Sequence, residues 1–313
     1  MRADEDAFRR EMLARFDSGR FRADVPLAPF TTFKVGGPAQ WLLEPRTSEE
    51  IVDALCIARR SGVGVTVLGG GSNVLIGDRG LRGLVIRPRG GSIAQIGEQR
   101  IRADAPTTIN GLVRWTVHRG IAGLEAWAGT PGTVGGAIYG NAHFAGRNIG
   151  ELVESVHLAD REGATRERSR DEMEFGYDRS RLQTTGEILL SAVFRVSTGD
   201  STVLRETARQ SLAYRKRTQP LESPSAGCIF QNPDRAQVPA EIPASAGALV
   251  DRAVMKGVAR GDARVSSAHA NFIVNEGRAT AAEIRTLIDL CRSRVHEQFG
   301  VTLQEEIVYL GEF

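Results

Sequence analysis

The sequence predicts an α+β protein of more than one domain. A length of 313 residues, at roughly 150 per domain, gives about two domains. Apolar residues at 41% and charged residues at 25% form an ordinary globular balance, which excludes a disordered chain. Stretches with helical period alternate with short β-rich runs throughout the chain. Glycine is the outlier, with 35 residues against the roughly 7% that is usual, so its placement is the question the sequence raises.

The elements follow in order. From Thr47 to Gly62 a helix is expected: Thr47 and Glu50 have capping-box spacing, and Ile51, Ala54, Leu55 and Ala58 share a face. A β-rich run, 63–68, empties into a glycine loop at 69–73 and resumes at 74–76, with a further short strand at 84–86. A second helix, Thr108 to Arg119, carries Ile109, Leu112, Val113 and Val117, and the densest glycine region, 123–142, follows it. A hairpin spans 156–168 around Arg161-Glu162-Gly163, and 188–196 is a buried strand. Beyond it come a helix at 202–217, an apolar strand opening at Cys228, a short helix at 248–253 and a strand at 271–275. The clearest helix is Thr280 to Phe299, with a capping box at Thr280 and Glu283, a stripe that makes Cys291 core, and Gly300 as its stop. A final strand occupies 301–310, where alternation groups Glu306 with Gln304, Val308 and Leu310, opposite Glu305.

Bulk properties exclude several function classes. Forty basic against 38 acidic residues gives no support to a nucleic-acid or polybasic membrane surface. Cys56, Cys228 and Cys291 are too few and too scattered for a disulfide framework or a tetrahedral zinc site, and no metal is expected. The start alternates charges, as at Glu5, Asp6, Arg9 and Arg10, and has no apolar core of a signal peptide. No apolar run approaches the roughly 18–20 residues of a membrane span, so a soluble, cytoplasmic protein is expected.

The glycine excess concentrates at 69–73 and 129–140. Glycine is needed where backbone takes positive φ or lies too close to a neighbour for a Cβ. Successive exposed N–H groups in such loops form anion-binding nests suited to a pyrophosphate, and Ser72, Asn73 and Thr130 add side-chain donors. Neither loop has the spacing of a Rossmann fingerprint or a P-loop. Two such loops with similar decoration favour a dinucleotide held between two subdomains.

Five segments in order carry a family resemblance: PFTTFKVGG at 29–37, LGGGSNVL at 68–75, GTPGTVGGA at 129–137, AGCIFQNP at 226–233 and VSSAHANFIVN at 265–275. They resemble the UDP-N-acetylenolpyruvoylglucosamine reductases of peptidoglycan synthesis, and run from about residue 26 to the C-terminus. The short connection between Arg181 and Tyr214 is similar to the shorter subtype without an extra substrate-covering loop. The resemblance implies a two-lobed FAD-binding domain of the vanillyl-alcohol-oxidase-like (PCMH) type plus a C-terminal α+β substrate-binding domain. Residues 1–88 would be the N-terminal arm and first lobe, 89–198 the second lobe, and 199–313 the substrate domain. FAD would be non-covalent; His143, beside the second loop, is the residue a covalent link would use. Its contacts would be Thr31, Thr32 and Phe33; Gly69, Gly70, Gly71, Ser72 and Asn73; Gly129, Thr130, Pro131, Gly132 and Thr133; and Gly135, Gly136 and Ala137.

The implied reaction passes a hydride from NADPH through FAD to C3 of UDP-N-acetylglucosamine-enolpyruvate, and a proton to C2, in a monomeric enzyme. Charge developing at C2 and on the carboxylate calls for a cation, an acidic or hydrogen-bonding partner and a proton donor. Cys228 is the donor candidate, where family members usually carry serine; an unperturbed thiol, with pKa about 8.5, is largely protonated at neutral pH. Glu306 is the acid, since the family's acid immediately precedes the Ile or Val. The family pattern Tyr-Arg-x-Ser reads here Tyr177-Asp178-Arg179-Ser180, and either Arg179 or Arg181 supplies the carboxylate clamp, with Arg179 the first choice. Tyr177, Arg181, Tyr214, Lys216, Gln231 and Asn232 are the expected substrate or nicotinamide-phosphate contacts, and His269 is expected to be structural.

Overall fold

The computed structural model describes residues 2–313, which form two compact units. The first unit comprises residues up to Val25 with Gln40–Gly70 and Arg82–Ala213. Its opening helix, Arg2–Arg15, lies where the sequence shows alternating charge. Phe8, Met12 and Phe16 recur every four residues, so they share one face. That face is buried, with Phe8 packed on Trp41 at 4.8 Å between ring centroids. Helix Ser48–Arg60 starts where expected, because Thr47 Oγ1 accepts from the Glu50 N–H at 3.2 Å.

Two larger sheets and two short strand pairs belong to this unit. One has strand order 21–26, 38–43, 81–86, 65–67, its last pair parallel. The other is antiparallel, in the order 165–169, 153–159, 188–195, 100–104, 93–97. Ile188–Arg195 lies at its centre and is almost wholly buried, as its apolar run, interrupted only by Ser191 before Arg195 ends it, requires. Helices Ile109–His118 and Val134–Tyr139 share one hydrophobic core with Trp127 and Phe194, both fully buried.

The second unit comprises Pro26–Ala39, Gly71–Leu81 and Tyr214–Phe313. Its backbone is helix Ala281–Phe299, with Thr280 and Glu283 closing the capping box and Gly300 in the left-handed conformation at its end. Ile284, Leu287, Ile288, Cys291 and Val295 form the buried stripe, and the Cys291 thiol is pushed up to about 12 by burial, as befits a core cysteine. The Asp78 carboxylate accepts from the Ala281 and Ala282 N–H groups at 2.8 and 3.0 Å, anchoring 71–81 at this helix N-terminus. Strand Val308–Leu310 pairs in parallel with Val74–Ile76.

Phe33, Val35 and Leu75 are buried in the C-terminal core and bring their segments with them, so each compact unit is discontinuous in sequence. Two expectations of local structure change. The final strand is shorter than 301–310, and the run opening at Cys228 is no strand; Phe230 and Glu305 form only an isolated bridge. Alternation therefore does not assign Glu305 and Glu306 to faces.

Candidate active site

In the first unit the second glycine loop is pinned from several sides. The Gly129 N–H donates to Asn110 Oδ1 at 2.7 Å, and Asn110 Nδ2 donates to the Thr130 carbonyl at 3.3 Å. The Val134 and Gly135 N–H groups are bonded to the Thr107 and Ala105 carbonyls at 2.8 and 2.9 Å. Thr133 caps the short helix that follows, accepting from the Gly136 N–H at 3.3 Å. Gly69 and Gly70 lie against this loop, and a Cβ on Gly70 would stand 2.6 Å from Gly132 Cα. Their own N–H groups donate to no acceptor among the described residues. A Cβ on Gly136 meets nothing nearer than 3.8 Å, so the protein itself does not demand glycine there. A flat ligand lying on the loop would.

Close to this loop is the turn of the Tyr177-Asp178-Arg179 segment. Gly176 and Arg179 exchange backbone hydrogen bonds at 3.0 and 3.2 Å, leaving Tyr177 and Asp178 as its two central residues. Asn141 Nδ2 donates to the Gly176 carbonyl at 2.7 Å, Ser180 Oγ to the Tyr139 carbonyl at 2.8 Å, and Gln183 Nε2 to the Asp178 carbonyl at 2.9 Å. Asp178 Oδ1 lies 2.9 Å from His143 Nδ1, and the His143 ring lies 5.1 Å from that of Tyr177. Arg179 is exposed, its guanidinium folded along Gly176. Arg181 is drawn into an ion pair with the nearly buried Glu187, Nε to Oε2 2.8 Å.

The second unit holds the other candidates. Gly71 and Ser72 N–H groups also donate to no acceptor among the described residues. The Thr31 hydroxyl is spent inside its own turn, donating to the Val35 carbonyl at 2.9 Å, while Phe33 is fully buried in the core. Those two side chains shape the 29–37 segment rather than face outward. Asn73 Nδ2 donates to the Glu306 carbonyl at 3.1 Å.

Cys228 follows Gly227, whose φ of +81° marks a left-handed turn of the chain just before the thiol. The next residues are clamped on both sides. Asn271 brackets Phe230, its Oδ1 taking the N–H at 2.9 Å and its Nδ2 giving to the carbonyl at 2.7 Å. Opposite, the Glu306 N–H donates to the Ile229 carbonyl at 2.8 Å, which sets Glu306 across from the residue next to Cys228. Tyr214 and Lys216 are exposed, while Arg215 between them is 6% exposed. Burial lowers Arg215 to about 10, and the nearby Cys228, in its thiolate form, works against that shift. Sequence reasoning does not single out Arg215: Tyr214 and Lys216 lie about 200° apart on the helix, and nothing in their spacing marks the residue between them as the buried one. Asn232 Oδ1 accepts from the Ala246 N–H at 3.0 Å, and the Gln231 N–H is taken by Gln304. His269 has its ionisation lowered by burial and by Lys256, and its Nδ1 accepts from the Asn271 N–H at 3.2 Å.

Among the described residues no group of three or more His, Cys, Asp or Glu is arranged to hold a metal, and no helix is long and apolar enough to cross a membrane.

Comparison with known proteins gives this site a lineage. Residues 219–310 match the family model "UDP-N-acetylenolpyruvoylglucosamine reductase, C-terminal domain", and residues 39–169 match "FAD binding domain". A UDP-N-acetylenolpyruvoylglucosamine reductase of Heliobacterium modesticaldum is 38% identical over 295 residues, covering 94% of this chain and 92% of its own. One from Synechococcus sp. strain WH7803 is 40% identical over 301 residues, covering 94% of both chains. The crystal structure of the Thermus caldophilus reductase aligns with TM-score 0.77 at 32% identity, covering 93% of this chain and all of that one. With an N-terminal FAD-binding domain, a matching C-terminal α+β domain and relatives of this identity along nearly its whole length, the chain belongs to the UDP-N-acetylenolpyruvoylglucosamine reductase family.

Proposed function

We propose that this protein reduces the enolpyruvyl group of UDP-N-acetylglucosamine-enolpyruvate to give UDP-N-acetylmuramate for peptidoglycan synthesis, with non-covalent FAD and with NADPH as the electron source. The observation that carries the reading is the Cys228 segment: a thiol beside the buried Arg215, clamped across from Glu306. The unspent N–H groups of Gly69, Gly70, Gly71 and Ser72 are donors suited to a diphosphate, and Gly136, where a Cβ would clash with no protein atom, suits close approach of the nucleotide.

Held by the backbone N–H groups of residues 69–72, FAD would supply the hydride-transfer chemistry between NADPH and C3 of the enolpyruvyl ether. Cys228 delivers a proton from Sγ to C2, and the guanidinium of Arg215 stabilises the thiolate left behind. Arg179 meets the substrate carboxylate; Arg181, already paired with Glu187, steadies the turn that presents it. Glu306, with its backbone fixed by Asn73 and Ile229, is the acidic partner to the developing enolate. Tyr214 and Lys216 are exposed and suited to the diphosphate of the nucleotide sugar.

Anaerobic NADPH titration tests the reading. The holoenzyme should lose its flavin absorption band on NADPH addition and regain it on addition of the enolpyruvyl substrate. A flavin that stays oxidised, or that substrate fails to reoxidise, overturns it. Cys228→Ala should bleach normally and stall at reoxidation, while Cys228→Ser should turn over.

A further inference from the structure

The turn at 176–179 departs from the family pattern at one position. Where Tyr-Arg-x-Ser has its arginine, this chain has Asp178, a residue of opposite charge with left-handed backbone at φ +51°. The Asp178 side chain is only 7% exposed, and its Oδ2 is buried with no hydrogen-bond partner. A carboxylate so placed is costly without a compensating partner. That partner is His143, with Nδ1 2.9 Å from Oδ1. An ionised carboxylate only accepts, so the proton between them belongs to Nδ1, and Nε2 is the end of the ring turned away from the carboxylate. The ring is one-third exposed and lies against Tyr177. Asn141, Ser180 and Gln183 lock the turn to residues 139–141, directly after the helix leaving the second glycine loop. An imidazole on this body is fixed in place as a flexible arginine is not.

We propose that His143, oriented by Asp178 and lying at a tilt against Tyr177, is a catalytic residue of this enzyme that contacts the carboxylate of the anionic substrate, acting with Arg179 in place of the missing arginine. The inference rests on the function proposed above and extends it to a residue pair that sequence reasoning does not assign to the substrate. The two cations differ: Arg179 is exposed and always charged, whereas His143 is partly buried and carries charge only when protonated. Charged and titratable neighbours are Asp178, Tyr177 and Arg179 on the turn, Tyr139 at the helix end and Arg147 on the paired strand. Among these side chains only the imidazole ordinarily titrates near neutrality, so substrate affinity should weaken as pH rises and the imidazolium is lost.

The test uses holoenzyme and the enolpyruvyl substrate, with binding read from perturbation of the oxidised flavin spectrum. Wild-type enzyme should bind substrate more weakly as pH goes from about 6 to 9. His143→Gln should lose that limb and raise the substrate KM roughly ten- to a hundredfold, while NADPH bleaches its flavin at the wild-type rate. His143→Arg should restore affinity and make it pH-independent; Asp178→Asn should move the limb to lower pH. Substrate affinity that is flat with pH in the wild type, or a His143→Gln enzyme with unchanged KM and pH profile, overturns the proposal. Should His143→Gln not retain FAD, the wild-type pH series and His143→Arg decide. Failure of wild-type flavin to bleach with NADPH would instead overturn the function itself.

Discussion

The two glycine loops look alike in sequence and differ in what their glycines serve. In the first, the neighbouring backbone leaves no room: a Cβ on Gly70 would stand 2.6 Å from Gly132 Cα, and one on Gly71 would stand 2.2 Å from the Phe30 carbonyl oxygen. Its N–H groups from Gly69 to Ser72 nevertheless remain unspent among the described residues. In the second loop the situation is reversed. Its N–H groups at Gly129, Val134, Gly135 and Gly136 are already bonded within the chain, yet a Cβ on Gly136 would meet only Thr133 Oγ1, at an ordinary contact distance of 3.8 Å. One loop offers donors on a tightly packed frame, and the other offers clearance on a hydrogen-bonded one. A diphosphate needs the first and a close-lying nucleotide needs the second, so glycine content alone does not say which part of a cofactor a loop meets.

The sharpest way to break this contrast is Gly71→Ala. The clash is with backbone, and φ is +62°, so neither a rotamer change nor ordinary backbone relaxation relieves it. Apoprotein stability should fall by about 3 kcal/mol or more, read from denaturant unfolding without FAD. A variant as stable as wild type would show that packing does not require this glycine.

Gly136→Ala is the complementary experiment, with its effect on affinity rather than on the fold. Alanine is favoured over glycine within helix Val134–Tyr139, so the apoprotein should be unchanged or more stable by about 0.5–1 kcal/mol. If the nucleotide lies on this loop, the FAD dissociation constant should nevertheless rise about tenfold or more, as measured by fluorescence titration of apoprotein. An unaltered constant would move the cofactor off Gly136.

Much of the frame around these loops is legible in the sequence, because short-range chemistry sets it. Thr47 and Thr280 each announce a helix by their spacing to a glutamate, and both bonds form. The central strand of the larger sheet announces itself too, since the apolar run that opens at Ile188 is enough to mark it as buried. What stays hidden depends on tertiary partners. Nothing local says that 26–39 and 71–81 join the C-terminal core, that 301–307 leaves regular pairing, or that Asp178 is buried against His143. Asn110 escapes notice for the same reason: on a predicted helix face it is one more polar residue, and only the fold sets it beside Gly129. For Cys228, Glu306 and Arg179 the family motif, rather than periodicity, supplies the assignment.

Asn110→Ala probes the second loop from its outer side. It removes the acceptor of the Gly129 N–H and the donor to the Thr130 carbonyl, and should cost about 1–2 kcal/mol of apoprotein stability with a several-fold weaker FAD affinity. Equal loss of stability without loss of affinity would mean that the pinned geometry of the loop matters to the fold alone.

The smallest effect comes from a pair of caps, and it separates loop from frame most cleanly. Thr133 and Thr280 do the same local job, each accepting from a backbone N–H three residues on, at 3.3 and 3.1 Å. Either change to alanine should cost about 1 kcal/mol. Thr133 stands within the second glycine loop and its bond orients the Gly136 N–H, so Thr133→Ala should also weaken FAD binding. Thr280 begins the long helix of the other unit, and Thr280→Ala should leave FAD affinity as it was. Matched stability losses with unmatched affinities would assign the loop to the cofactor independently of turnover, whereas matched affinities would reduce Thr133 to an ordinary cap.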